Sequence, residues 1–433
     1  METPLFDPAA GREFIDRALA LGRLSDATDH YTRTYLTPAH QAAARQISAW
    51  MKDAGMMVRV DAVGSVIGRY EAAAGAVIPA KAGIQPPKTL LMGSHFDSVR
   101  NGGKFDGVLG ILVPIACVAE LHRRGERLPV AVEIAAFADE EGARFQTSFL
   151  ASRALIKGSD SIIPLLDRRD ADGVSLADAM RAAGLDPAKA DADRIDPATL
   201  AAYVEVHIEQ GPVLLNEGAA LGVVTSIAAG GRHAMKVIGE AGHAGTVPMP
   251  MRHDALAAAA EMILAIEKRC SAGGSLVGTV GILKVKDGTA NVIPGEVDFT
   301  VDIRAAAEEI LFQAQRDVFA ACDAIAKRRG VRLEGNRTHD VHAVPCAPWL
   351  QDGIAASIER TLKGGKARRL PSGAGHDAMI LAEVCDVGMM FVRCGAGGVS
   401  HNPAETVTAE DAGLAIAALL DFLRRFATST TRA

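Results

Sequence analysis

The sequence holds no CxxC pair, no dense cysteine framework, no basic block and no apolar run approaching a membrane span. Each absence removes a class of protein. Six cysteines scattered over 433 residues (Cys117, Cys270, Cys322, Cys346, Cys385 and Cys394) exclude a disulfide scaffold and suit free thiols in a reducing compartment. A net charge of −6, from 46 basic and 52 acidic residues without clustering, argues against a nucleic-acid partner. Without a stretch of roughly 18 apolar residues, no membrane span is expected. The opening stretch METPLFDPAAGREFIDRAL has no basic region ahead of an apolar core, so no cleaved signal peptide is expected and the cytoplasm is the expected location. Aromatic residues make up only 4%, whereas hydrophobic residues reach 49% and glycine numbers 43, as in an ordinary α/β protein long enough for two or three domains.

Hydrophobic spacing organises the chain. Residues 38–54 have helical periodicity and end at a glycine stop, and MMVRVDAVGSVIGRY then alternates as a strand pair does. The stretch 72–88, AAAGAVIPAKAGIQPPK, is punctuated by glycine and proline and reads as a surface insertion. TLLMGSHFD is apolar on both faces, as a central parallel strand should be. The helix GILVPIACVAELHRRG, with Pro114 in its first turn, and the strand VAVEIAAFADEEG complete a strand-helix-strand unit.

From about Gly222 the texture changes. A strand at TSIAAGGRHAMKVIGEAG, a helix over 252–270, strands at GSLVGTVGILKV and PGEVDFTVDIR, a helix over 305–329 and a strand at GVRLEG give the order β-α-β-β-α-β. That order describes a ferredoxin-like insertion. The boundaries are therefore 1–221 for the first part of a catalytic domain, 222–337 for the insertion and 338–433 for the second part, which closes on the apolar helix LAIAALLDFLRRF.

Polar clusters stand where the apolar strands end, the place at which open α/β sheets carry their sites. His95 and Asp106 are candidate metal ligands, with Asp97 placed to bond the second imidazole nitrogen of His95. Taken alone, a His-x-Asp triplet is also an ordinary polar strand end. Asp139, Glu140 and Glu141 crowd three carboxylates beside a low-dielectric core and repel one another unless cations compensate, although a solvated loop or helix N-terminus also favours acids. His207 and Glu209 lie on one face of an extended segment with Gln210 on the other, and His401 sits in a polar turn. Together these clusters supply the mixed imidazole and carboxylate ligation that first-row divalent metals favour, with a bridging carboxylate as the mark of a two-metal hydrolytic centre.

The blocks GSHFDSVRNGGKFDG, ADEEGARF, VHIEQGPVL, AGHAGTVPMPMRHDA, ANVIPGEVDFTVDIR, SGAGHDAM and GGVSHNPAE, in that order, resemble the amidase/hydantoinase/carbamoylase branch of the dinuclear zinc peptidase and aminoacylase superfamily, over about residues 30–425. The resemblance implies a mixed-sheet α/β catalytic domain whose ferredoxin-like insertion is a lid and dimerisation domain. It implies two divalent ions per subunit, zinc or else manganese or cobalt, bridged by Asp106. One ion would also be held by His95 and His207, the other by Glu141 and His401. Glu140 matches the general base that takes a proton from water and hands it to the leaving nitrogen. His243 matches the residue that reaches a partner subunit's site to stabilise the oxyanion, which implies a homodimer. Asn291 and Arg304 match substrate-binding positions, and a guanidinium is a natural bidentate clamp for a carboxylate. Gln210 and His376 would line the ureido pocket.

Two features depart from the branch: Phe96 stands where an aliphatic residue such as leucine is usual, and the 72–88 stretch is long. His30, His40, His122, His233, His253, His339 and His342 lie outside the motif cores and read as solvated or structural. The implied activity is hydrolysis of the ureido or carbamoyl C–N bond of a small molecule, allantoate or an N-carbamoyl-L-amino acid, with release of carbon dioxide and ammonia. The wording of VRNGGKFDGVLGI leans towards allantoate. An aminoacylase or dipeptidase on the same scaffold is the alternative, which the HIEQGPVL block disfavours. A metal-free binding protein is a third reading, disfavoured because it has no need of five ligands and a base.

Overall fold

The computed structural model describes residues 8–74, 78–80, 83–85 and 88–429. The chain divides into two compact units, the first comprising the residues up to Thr225, Cys346–Leu370 and those from His376 on, the second Ser226–Pro345 and Pro371–Gly375.

The first unit is built on a mixed sheet. Its strands run in the order Met57–Val60, Val66–Tyr70, Ala131–Phe137, Thr89–His95, Leu200–Ile208, Val387–Val392 and Leu221–Ile227. The four in the middle are mutually parallel, and the flanking pairings are antiparallel. Thr89–His95 is buried at all seven positions, as expected of a strand covered on both faces. All four parallel strands therefore point their carboxyl ends the same way, and His95, the Asp139–Glu141 run, His207 and the segment leading to His401 follow from those ends.

Helices cover the sheet. Pro38–Asp53 starts at an N-cap Thr37, whose side chain accepts a hydrogen bond from His40 N, and it stops just before Gly55, which has a positive φ of 81°. Val108–Arg123 begins two residues after Asp106, behind the N-cap Gly107, and buries eleven of its residues. Pro114 lies inside this helix and not in its first turn, because the helix starts at Val108, two residues earlier than the apolar periodicity indicates. Gly110 permits a close approach: a Cβ there would lie 2.4 Å from the Val206 carbonyl oxygen and 2.6 Å from Ser94 Cβ. Within the 72–88 stretch, Ile78–Ala80 and Gly83–Gln85 form an antiparallel ribbon, and residues 75–77, 81–82 and 86–87 lie outside the described residues.

In the second unit an antiparallel sheet runs Val277–Thr279, Glu296–Ala305, Ala229–Ile238, Arg332–Val341, and Leu283–Val285 also pairs with Glu296–Ala305. The central strand alternates strictly. Val297, Phe299, Val301, Ile303 and Ala305 are buried against the helices Ala255–Cys270 and Glu308–Arg329, and Glu296, Asp298, Thr300, Asp302 and Arg304 occupy the opposite face. The segment that reads as one strand, GSLVGTVGILKV, is two, because its register against Glu296–Ala305 slips by one residue between Thr279 and Leu283, where Thr300 Oγ1 takes the Ile282 N–H at 3.1 Å. GVRLEG is the start of a ten-residue strand that shifts register between Arg337 and His339.

All six cysteines are free, and among the described residues no helix is long and apolar enough to cross a membrane. Replacing Gly110 with alanine should push the Val108–Arg123 helix off the sheet and lower stability by about 1–3 kcal/mol, the usual scale of over-packing. Urea melts check this, and an unchanged midpoint would show that the close approach is not tight.

Candidate metal centre

Eight of the eleven residues to which the resemblance gives a role lie in the first unit. Asp106 is their hub. Its Oδ1 lies 3.3 Å from His95 Nε2 and 3.3 Å from His207 Nε2, and its Oδ2 lies 3.4 Å from His401 Nε2. His401 Nε2 is in turn 3.4 Å from Glu141 Oε1. Two donors held at about 2.0–2.1 Å by one tetrahedral ion stand roughly 3.3 Å apart, so each of these separations is the span across such an ion. Asp106 Oδ1 is buried and makes no hydrogen bond, although two imidazole nitrogens surround it. The donor set thus falls into two groups that share one carboxylate: His95, His207 and Asp106, and Asp106, Glu141 and His401. These residues fit divalent ions.

Local folding explains the convergence. His95 ends its strand and His207 lies one residue before the end of its own, on the neighbouring parallel strand. Asp106 precedes the N-terminus of a 16-residue helix, where the aligned peptide dipoles favour negative charge. Gln210 and His401 both adopt left-handed backbone conformations, with φ of 57° and 53°. Non-glycine residues hold that conformation only where the surroundings impose it, and such positions gather at functional sites.

The left-handed turn also corrects the expected placement of Gln210. It does not lie on the far face of an extended strand; the strand ends at Ile208, and Gln210 Nε2 reaches Asp106 Oδ2 at 2.7 Å. Glu209 turns away to accept the Val213 and Leu214 amides at 2.6 and 2.9 Å. Asp97 likewise does more than back His95. Its Oδ1 stands 3.4 Å from His95 Nδ1, which lies nearer the Asp97 carbonyl at 3.2 Å. The Asp97 carboxylate meanwhile accepts the backbone amides of Glu140 and Glu141 at 3.0 and 3.2 Å, tying one strand end to the next.

Charge is crowded here. Burial pushes the Glu140 carboxyl well above its usual range, against the pull of His95. Burial, with Asp106 nearby, pushes Glu141 up to about 7. The hydrogen bond to Asp106 raises His401 to about 9. Burial would lower the His95 and His207 imidazoles, but their neighbouring carboxylates outweigh it and raise both. Asp106 is held well below its usual range by His207, His401 and His95 in spite of its burial. The acids and imidazoles therefore share protons that divalent cations would replace.

Several participants have no role assigned from the sequence, although Ser400 and Glu405 stand inside the GGVSHNPAE block. Glu405 is buried, and its Oε1 accepts the Phe105 and Asp106 amides at 2.8 and 3.1 Å. Ser400 Oγ lies 2.8 Å from both Asp106 Oδ2 and Glu405 Oε2. Glu205 is fully buried and accepts from Ser94 Oγ at 2.7 Å and from the Ala378 amide at 3.1 Å. A glutamate inside the apolar strand LAAYVEVHI is a legible signal, since a buried carboxylate needs partners. His376 is buried, packs edge-on against His207 with centroids 4.5 Å apart, and is driven well below its usual pKa by burial and by His207.

The three remaining residues belong to the second unit. His243 pairs with Val292 on a short ribbon, and Asn291 O accepts the Ala244 amide at 2.9 Å, so His243 and Asn291 are neighbours. Arg304 donates from Nε and Nη2 to Asp302 at 3.1 and 3.2 Å and from Nη1 to the Gly373 carbonyl at 2.8 Å. Asp302 also accepts from Arg232 at 2.8 Å, so one carboxylate serves two guanidiniums and a positive charge is left over.

The model of peptidase family M20/M25/M40 matches residues 85–425. The chain is 40% identical to allantoate deiminase from Arabidopsis thaliana over 95% of its own length and 81% of that protein. It is also 40% identical to N-carbamoyl-L-amino acid amidohydrolase from Geobacillus stearothermophilus, over 93% and 95% of the two chains. Among solved structures, an amidase of the hydantoinase/carbamoylase family from Burkholderia multivorans superposes with a TM-score of 0.85 at 29% identity, covering 98% of each chain.

Metal uptake should release protons, because the ligands bind deprotonated. With Glu141 at about 7 and His401 at about 9 in the metal-free chain, apparent affinity for zinc or manganese should rise with pH between about 6 and 9. Titrations in buffers of different ionisation heat measure the release. Uptake without protons would refute the assigned ligands.

Proposed function

The chain belongs to peptidase family M20/M25/M40, and on that footing we propose that it is an amidohydrolase of the ureido or carbamoyl C–N bond. The observation that carries this reading is the shared-carboxylate donor set around Asp106, with Glu140 buried beside it. Two divalent ions per subunit, zinc or else manganese or cobalt, would be held by His95, His207 and Asp106 and by Asp106, Glu141 and His401. Bound there, they supply Lewis acidity that polarises the ureido carbonyl and acidifies water.

The chain's own residues do the rest. Glu140, whose carboxyl is pushed up by burial, takes the proton of the attacking water and returns it to the departing nitrogen. Addition of water and loss of ammonia leave a carbamate, which falls apart to carbon dioxide and the amine. Arg304 grips the substrate carboxylate beside Asn291, and the surplus charge on the Arg304–Asp302–Arg232 cluster supports that role. Gln210 and His376 line the ureido pocket, and the neutral His376 is suited to hydrogen bonding without adding charge. His243 stabilises the oxyanion across a homodimer formed by the inserted domain, residues 222–337, whose β-α-β-β-α-β order is that of a ferredoxin-like lid. The catalytic domain is proposed over 1–221 and 338–433, bounds that differ from the compact units, in which the second runs Ser226–Pro345 with Pro371–Gly375, and the cytoplasm is its proposed location.

Allantoate is the favoured substrate and N-carbamoyl-L-amino acids the next. A panel of ureides, N-carbamoyl and N-acetyl amino acids should show ammonia release from a carboxylate-bearing ureide and hardly any from urea. Arg304→Ala should weaken the preferred substrate by about 1.5–3 kcal/mol, the scale of a hydrogen bond to a charged group. Activity confined to acetylated or peptidyl substrates would replace this reading with an aminoacylase. Glu140→Gln should retain its metal and lose about 10² to 10⁴ in turnover. Mixed with the inactive His243→Ala, it should regain part of that turnover, because one of the two mixed sites is intact; no recovery from a confirmed mixed dimer would refute a shared site.

A further inference from the structure

Two ligand-bearing strands end side by side, and their ladder ends with them. Phe96 N donates to Phe137 O at 3.1 Å, the last such bond between the segments. The next carbonyls, Phe96 O and Ala138 O, lie beyond the ladder among buried residues, where an unmet acceptor is costly. Neither is left unmet. Arg33 Nε donates to Phe96 O at 2.6 Å, and His40 Nε2 lies 2.7 Å from Ala138 O.

Both side chains are buried and come from one short segment ahead of the sheet. The His40 ring also stacks on Phe96, with centroids 4.3 Å apart at 24°. Burial pushes the imidazole down to about 4, so it is neutral near pH 7 and can carry its proton on Nε2. Arg33 adds its own amide to Ser98 Oγ at 2.9 Å and accepts the Ser98 amide at 2.9 Å. Phe96 lies between His95 and Asp97, and Ala138 opens the run to Asp139, Glu140 and Glu141. The segment therefore grips both loops at the residue where each leaves the sheet.

We propose that His40, together with Arg33, is a positioning residue that holds the His95–Asp97 and Glu140–Glu141 loops at the separation the metal donors and the base require. The inference rests on the proposed function for what those loops do. It also gives Phe96 a reason: an aromatic ring offers His40 a flat face that an aliphatic side chain does not.

The test separates the hydrogen bond from the packing. His40→Phe keeps a ring on Phe96 and loses the donor, whereas His40→Gln can place an N–H near the position of Nε2. His40→Phe should fold, lose about 10- to 100-fold in kcat with KM changed less than about threefold, and surrender zinc to a chelator at about 10- to 100-fold lower competitor concentration. His40→Gln should recover most of both. His40→Asn, too short to reach Ala138 O, should behave like His40→Phe and keeps the test available if that variant does not fold. Wild-type kcat and zinc retention in a folded His40→Phe or His40→Asn overturns the inference. Glu140→Gln in the same assays keeps the two readings apart: with its turnover lost and its zinc retained the proposed function stands, and normal His40 variants then overturn the positioning role alone.

Discussion

Repulsion among buried carboxylates is the constraint around which the first unit is arranged. Asp97, Asp139 and Glu140 are buried within a few residues of the strand ends, Asp106 is buried just before the following helix, and Glu205, Asp377 and Glu405 are buried as well. Burial raises the pKa of Glu140, Glu141, Asp139, Glu205 and Asp377, the last to about 8. Carboxylates so placed must be protonated, hydrogen-bonded or neutralised by cations. The surrounding backbone supplies part of the answer: the amides of Glu140 and Glu141 point at Asp97, those of Phe105 and Asp106 at Glu405, and that of Ala378 at Glu205. Three imidazoles around Asp106 supply another part, and the spacing they leave is that of donors about a metal ion.

The same constraint bears on catalysis. A carboxyl raised by burial is a better proton acceptor than one in water, and it is retained near the reaction only if the fold compensates it. Glu140 has its amide held by Asp97 and its side chain buried. Asp106 is held low by its histidines, so the two acids are driven in opposite directions within one site. Such divergence agrees with the proposed division between ligand and base.

Much of the architecture was legible because it follows from periodicity. The buried parallel strand Thr89–His95, the alternation of Glu296–Ala305 and the helix Pro38–Asp53 with its glycine stop each carry a local signal. Element ends were less legible. The Val108–Arg123 helix starts earlier than its apolar pattern, which moves Pro114 from the first turn to the interior, and a one-residue slip of register, with the Ile282 amide turned to the Thr300 hydroxyl, splits one apparent strand into Val277–Thr279 and Leu283–Val285. These depend on individual hydrogen bonds, to which a hydrophobic pattern is blind.

For the site, the sequence by itself determined the chemical inventory: imidazoles and carboxylates at the ends of apolar strands, a glycine-rich loop between them and an arginine on an alternating strand. It determined the family likeness too, since the ordered blocks are linear features. Only the tertiary structure decided which nitrogen meets which oxygen. His95, His207 and His401 are separated by scores of residues, and their convergence on the two oxygens of Asp106 exists only once the parallel strands are in register. It also decided that Gln210 turns toward Asp106, that Glu209 turns away, and that His40, unremarkable in the sequence, caps a carbonyl where the sheet ends. Hydrogen bonds to the ends of strands are made across distant parts of the chain, so composition and spacing carry no trace of them.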